Sequence, residues 1–211
     1  MRWLEKLFGL FAGKAEKAGS SPLPDTDVVR PATWGDVETV AGLLEKHGVA
    51  YVLIGGYALH ANGLIRATGD VDILVRNTPE NNARWIAALS ELPDGAAAGL
   101  TGEANPFPVD DGVEDDEPGV IRIFDEFVVD VLPKACGCSY EDLEPYIARL
   151  EEPGKGINVL DLDGLSLTKR GARDKDRSDL QQITMALDRL RQRRGIPASK
   201  PPDTGILPQE R

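Results

Sequence analysis

Tyr51-Val52-Leu53-Ile54-Gly55-Gly56-Tyr57-Ala58-Leu59-His60-Ala61, followed after a short gap by Asp70-Val71-Asp72-Ile73-Leu74-Val75, is the stretch on which the fold turns. Val49 to Ile54 is a short apolar run rich in β-branched residues and reads as a buried strand. The Gly55-Gly56 pair breaks it, and Tyr57 to Ala61 reads as a helix. Val71 to Val75 is a second strand, with Asp70 and Asp72 at its start. Strand, glycine turn, helix and strand in this order predict an α/β arrangement.

The flanks fit that reading. Thr33 and Asp36 form a capping-box pattern, Val37, Val40, Leu43 and Leu44 recur at helical spacing, and Gly48 ends the helix. Thr78 and Pro79 open another helix, with Trp85, Ile86, Leu89 and Leu92 on its apolar face. From Pro93 to Gly119 the periodicity fails, and this glycine-rich stretch with its acidic run at Asp110–Glu117 reads as a long mobile loop. Val120–Phe124 and Phe127–Leu132 read as strands of a hairpin turning at Asp125-Glu126. Ser139 caps a helix carrying Leu143, Ile147 and Leu150, and Ile157–Leu162 reads as a last strand. A final helix runs from about Asp176 to Arg194 with Leu180, Ile183, Leu187 and Leu190 inward.

The ends read differently. Residues 1–18 form an amphipathic helix with Trp3, Leu7 and Phe11 on one stripe, placed to pack on the domain, on a second copy, or on a partner or membrane surface. Glu5 and Lys6 interrupt the apolar run, which argues against a signal peptide. Residues 19–31 read as a linker, 32–194 as the one folded domain, and 195–211 as a disordered tail. No segment reaches membrane-spanning length. Cys136 and Cys138 imply no disulfide framework and suit a reducing cytoplasm. The formal net charge of −11 disfavours a general nucleic-acid binder, which needs clustered Lys and Arg.

Three features carry chemistry. Glycines between strand and helix let a ligand approach the backbone, and the N–H groups of a helix start favour an anion. Asp70 and Asp72 are two apart on a strand, so both point to one face. Two such carboxylates call for a cation, and hard oxygen donors suit magnesium; pairing with Arg66 or Arg76 is the alternative. Asp130 lies in the apolar strand Val128–Leu132 and needs a partner, either that metal site or a buried Arg or Lys.

Together, Ile54-Gly55-Gly56, Asp70-Val71-Asp72 and Asp130 resemble the signature of the nucleotidyltransferase superfamily that includes DNA polymerase beta. The resemblance is closer to small nucleotidyltransferases of abortive-infection and toxin–antitoxin systems, through Tyr51–Leu59, Arg66–Ile73, Leu165–Arg170 and Arg173–Leu180. It covers about residues 33 to 190. The resemblance implies a short mixed β-sheet flanked by helices with a C-terminal helical segment. It implies transfer of a nucleoside monophosphate from a triphosphate, such as ATP, to an acceptor hydroxyl of protein, RNA or a small molecule. It places two Mg2+ ions on Asp70, Asp72 and Asp130, with Asp130 as metal ligand or general base. It places Gly55, Gly56, Arg66, Thr68, Lys169 and Lys175 at the nucleotide, although Lys169 and Lys175 also read as a solvated basic segment. Asp176 and Asp179 read as caps of the last helix. An antitoxin-like protein is an implied partner. Two other readings stand: a nucleotide-binding regulatory module without turnover, and an interaction protein.

Overall fold

The computed structural model describes residues 29–107, 119–152, 155–171 and 174–193. The expected N-terminal helix, most of the linker, the acidic run and the C-terminal tail lie outside the described residues.

The elements, in chain order, are α1 (Trp34–Lys46), β1 (Tyr51–Leu53), α2 (Gly55–Ala61), β2 (Asp70–Val75), α3 (Pro79–Leu89), β3 (Ile121–Phe124), β4 (Val128–Leu132), β5 (Lys134–Ala135), β6 (Cys138–Ser139), α4 (Tyr140–Leu143), β7 (Ile147–Glu152), β8 (Lys155–Leu160), α5 (Leu162–Leu167) and α6 (Asp174–Arg193). Six strands form one sheet in the order β3-β4-β2-β1-β8-β7, and β5 and β6 form a separate small hairpin. The sheet is mixed: β2 runs parallel to β4 and β1 parallel to β8, whereas the β1–β2, β3–β4 and β7–β8 pairs are antiparallel. The expected mixed sheet flanked by helices is what forms.

Burial explains the register. Along β2, Val71, Ile73 and Val75 are buried on one face, while Asp70, Asp72 and Leu74 share the other. The core joins these to Val37, Val40 and Leu44 of α1, Trp85 and Leu89 of α3, and Leu165 of α5. Polar groups lock the helices to strand ends. The Asn81 amide accepts from the Ala50 N–H at 2.7 Å and donates to the Ala50 and Arg76 carbonyls at 3.0 and 2.8 Å. Buried Asp125 accepts from the Asp94 and Ala96 N–H groups, fastening the segment after α3 to the β3–β4 turn.

Several expectations are corrected. The segment after Leu92 is anchored to the core at Ala97 and at Phe107, which is 4% exposed against Trp85, and Ala96–Leu100 forms a 3-10 turn. The helix after Ser139 lasts one turn, because Pro145 follows it; Ile147 and Leu150 then lie on β7. Leu162 begins α5 rather than ending a strand, since Asp161 accepts from the Gly164 N–H as an N-cap. Leu190 on α6 is exposed rather than inward. The β3–β4 turn holds three residues, Asp125-Glu126-Phe127, with Phe124 paired to Val128. Phe127 is thereby withdrawn from the strand and buried, with the Arg30 guanidinium 5.3 Å above its ring.

Arg30 also forms a two-pronged pair with Asp36 at 2.7 and 2.8 Å. Asp36 accepts from the Thr33 N–H and hydroxyl as well, completing the capping box of α1. The guanidinium and these caps hold its carboxyl down at about 2. An acid with a depressed folded-state pKa adds stability above its unfolded value, near pH 4, and loses it as pH falls towards 2. Asp36→Asn is expected to lower stability by about 1–2 kcal/mol at pH 7. Urea titrations at stepped pH should show the gap from wild type closing between pH 4 and 2.

Candidate active site

Parallel pairing of β2 with β4 sets Asp72 directly opposite Asp130. Partners across a parallel ladder present side chains to the same face, so Asp70, Asp72 and Asp130 converge without any loop excursion. Oxygen atoms from all three lie within 4.8 Å of one another. Asp130 is buried, and Asp70 and Asp72 are partly so.

The cluster forms the floor of a cleft of about 360 Å³. Among its lining residues, Asp70, Asp72, Asp130 and Asp176 face Arg66, Arg122, Lys169 and Lys175. The cleft is thus balanced in charge although the chain is strongly acidic.

Burial, followed by the charges of Asp70 and Asp130, pushes the Asp72 carboxyl up to about 7, against the smaller opposite pull of Lys169 and Arg66. Three convergent carboxylates are the donor set of a hard divalent cation such as magnesium. The residues fit the ion the sequence reading implies; its identity and the number of ions are not fixed by them.

Gly55 lies against this floor with φ +65°. A Cβ there would collide with the Asp72 carboxylate. Both constraints demand glycine, one from the backbone and one from the acid. Gly56 serves differently: a Cβ there would strike the Thr68 side chain. Gly56 and Thr68 stand behind the cleft rather than among its lining, and the Thr68 hydroxyl donates to Asp70 at 3.2 Å.

Lys169 and Arg66 line the cleft but are not solvated charges. Lys169 lies 3.2 Å from Asp176 and 3.3 Å from Asp179, and Arg66 lies 3.2 Å from the other oxygen of Asp179. Asp176 and Asp179 are buried, so they hold the wall of the site together in addition to sitting near the start of α6. Lys175, on the first turn of α6, is exposed at the cleft.

The cation nearest Asp70 and Asp130 is neither Arg66 nor Arg76. Arg76 pairs with Glu141 and Glu144 at 3.0 and 3.1 Å. Arg122 on β3 donates to both oxygens of Asp130 at 2.8 and 2.6 Å and lies 3.8 Å from Asp70. The sequence reading missed it. A two-residue turn at Asp125-Glu126 would set Arg122 across from Val129; the three-residue turn slips the register by one and sets it across from Asp130. Cys136 also lines the cleft, its thiol 3.1 Å from the Thr168 carbonyl.

No protein-family model and no curated protein matches the chain. Among solved structures, the chain is similar to a proposed nucleotidyltransferase from Thermotoga maritima, at 16% identity and a TM-score of 0.46 over 77% of this chain and 92% of that one. It is also similar to an antigenic nucleotidyltransferase-like protein from Paracoccidioides brasiliensis, at 16% identity and a TM-score of 0.40 over 78% and 91% of the two chains. At this distance the chain's own carboxylates and cleft carry the functional reading.

The raised pKa of Asp72 has a consequence for stability. The folded state binds that proton more tightly than the unfolded chain, so stability falls as pH rises from about 4 to about 7. Asp72→Asn is free of that loss. In EDTA, its melting temperature relative to wild type should climb across that pH window and level off above it. At pH 8, Mg2+ should raise the melting temperature of wild type and leave Asp72→Asn unmoved.

Proposed function

We propose that the protein is a magnesium-dependent nucleotidyltransferase that moves a nucleoside monophosphate from a nucleoside triphosphate to an acceptor hydroxyl and releases pyrophosphate. The observation that carries this reading is the floor of the cleft: three strand carboxylates converge within 4.8 Å under a wall that presents Arg66, Lys169 and Lys175. Carboxylates without the cations would suit a structural ion; cations without the carboxylates would suit a simple anion site.

In this reading Asp70 and Asp72 would hold the nucleotide-bound metal. Bound magnesium would supply charge neutralisation at the α-phosphoryl oxygens and at the departing pyrophosphate. Gly55 lines the cleft and, having no Cβ, leaves the Asp72 carboxylate its place there. Lys175 meets the β- and γ-phosphates from the cleft mouth, while Lys169 and Arg66, held by Asp179, offer N–H donors whose positions are already fixed. The acceptor oxygen attacks the α-phosphorus, a P–O bond forms, and the bond to the bridging oxygen of the β-phosphate breaks. Asp130, across the ladder from Asp72, would join them on a second metal or take up the hydroxyl proton.

The role of a toxin from a defence or toxin–antitoxin system, with an antitoxin-like protein partner and ATP as one candidate donor, belongs to the same proposal, as does a cytoplasmic setting. The free thiols of Cys136 and Cys138 support a reducing compartment, and among the described residues no helix is long and apolar enough to cross a membrane. We likewise propose one catalytic domain over 32–194, with the N-terminal segment as an appendage.

The test is Mg2+-dependent pyrophosphate release from each of the four ribonucleotides, with cell RNA and protein as mixed acceptors. Asp72→Ala is expected to cut release at least about a hundredfold while remaining folded. Lys175→Ala is expected to raise KM for the nucleotide about tenfold with a smaller effect on kcat. Full activity in Asp72→Ala would sink the assignment. Tight nucleotide binding with no release from wild type would favour the regulatory module, a reading to which the guanidinium seated on Asp130 lends some support.

A further inference from the structure

Arg122 sits where no bystander would. Antiparallel pairing of β3 with β4 and parallel pairing of β4 with β2 place Arg122, Asp130 and Asp72 in one row across three adjacent strands. Its guanidinium donates to both oxygens of Asp130, and Asp70 is 3.8 Å away. These are the acids whose oxygens come together as a ligand set. An ion held by all three must take an oxygen of Asp130 that the guanidinium now engages. It would then sit within a few ångströms of a fixed positive charge. Metal and guanidinium therefore compete for Asp130.

Arg122 is also built to leave. Its side chain is 51% exposed, it lies on a strand at the sheet's edge, and it lines the cleft in which a triphosphate would lie. The planar fork that fits a carboxylate fits a phosphate equally well. Resting on the proposed nucleotidyltransferase reading, we infer that Arg122 is a placeholder cation. It neutralises Asp130 in the metal-free cleft and transfers to the triphosphate when metal and nucleotide enter. Asp130 is then never left without a cation, and metal and triphosphate each make room for the other.

The inference predicts effects of opposite sign in one variant. Mn2+ binding to the full chain is followed by electron paramagnetic resonance, and inorganic tripolyphosphate binding at saturating Mn2+ by calorimetry. Arg122→Gln is expected to bind Mn2+ alone on the order of tenfold more tightly than wild type. It should bind tripolyphosphate on the order of tenfold more weakly. A residue that merely holds Asp130 in place would weaken both, and that result overturns the inference. Unchanged Mn2+ affinity overturns it, as does unchanged tripolyphosphate affinity. If Arg122→Gln does not fold, Arg122→Lys keeps the charge without the fork. That variant should show tighter Mn2+ binding and weaker tripolyphosphate binding to a lesser degree, with equality to wild type in either counting against the inference. Asp72→Ala is the reference for loss of the metal site. Should wild type and Arg122→Gln both match it in binding no Mn2+, the metal reading of the cleft falls and the inference falls with it. Should both bind Mn2+ equally, the metal reading survives and the inference alone fails.

Discussion

Mutual repulsion among Asp70, Asp72 and Asp130 is the constraint around which the rest of the molecule is arranged. Carboxylate oxygens within 4.8 Å of one another on a largely buried floor are costly, and the surrounding elements each offset part of that cost. Arg122 neutralises Asp130 from the sheet edge, and Lys169 and Arg66 act on Asp72 from the wall. Thr68 gives Asp70 a hydroxyl. Burial first, and then the remaining repulsion from Asp70 and Asp130, raises the pKa of the Asp72 carboxyl. A cation on the three acids would relieve that repulsion, and the parallel pairing of β2 with β4 keeps Asp72 beside Asp130.

The wall depends on charges that look redundant in the sequence. Lys169 follows α5 and Arg66 precedes β2, so nothing local relates them. Asp179, reaching both from α6, makes them one unit, and Asp176 adds a second contact to Lys169. The four groups are two acids and two bases, mostly buried, and in such a set each charge depends on the others staying paired. α6 is therefore part of the cleft and not an appendage to the sheet. The likeness of the surface charge to that of an ordinary acidic protein conceals this, because the balance is struck locally.

β1, α1, α2, α3 and the Asp-x-Asp strand were legible because each is signalled by neighbours in sequence: a β-branched run, a capping pair, a Gly-Gly break. The convergence of Asp130 on Asp72 was legible only through the resemblance, since residues on separate strands show their register nowhere in a pattern of two. Arg122 was not legible. Its position opposite Asp130 depends on whether the turn has two residues or three, and Asp125-Glu126-Phe127 contains no glycine to declare it. Burial of Phe127 beneath Arg30 decides the matter, and that contact is tertiary. The β7–β8 hairpin was misread in part as helix because Leu143, Ile147 and Leu150 fit a helical spacing by coincidence, with Pro145 between them.

The strand order also carries a temporal consequence. β1 and β8 are neighbours, Leu53 pairing with Val159, although every element from α2 to β7 lies between them in the chain. Pairings this distant close late, because the connecting loop must be restrained before the contact can repay it. β2, β3 and β4, with the acids and Arg122, need no residue beyond Leu132 to align with one another. Lys169 and α6 come only after β8 is seated. During synthesis the residues of the acidic floor and their own guanidinium thus emerge before Lys169, Asp176 and Asp179, so a nascent chain would bear a self-neutralised acid cluster before the cleft had its second side.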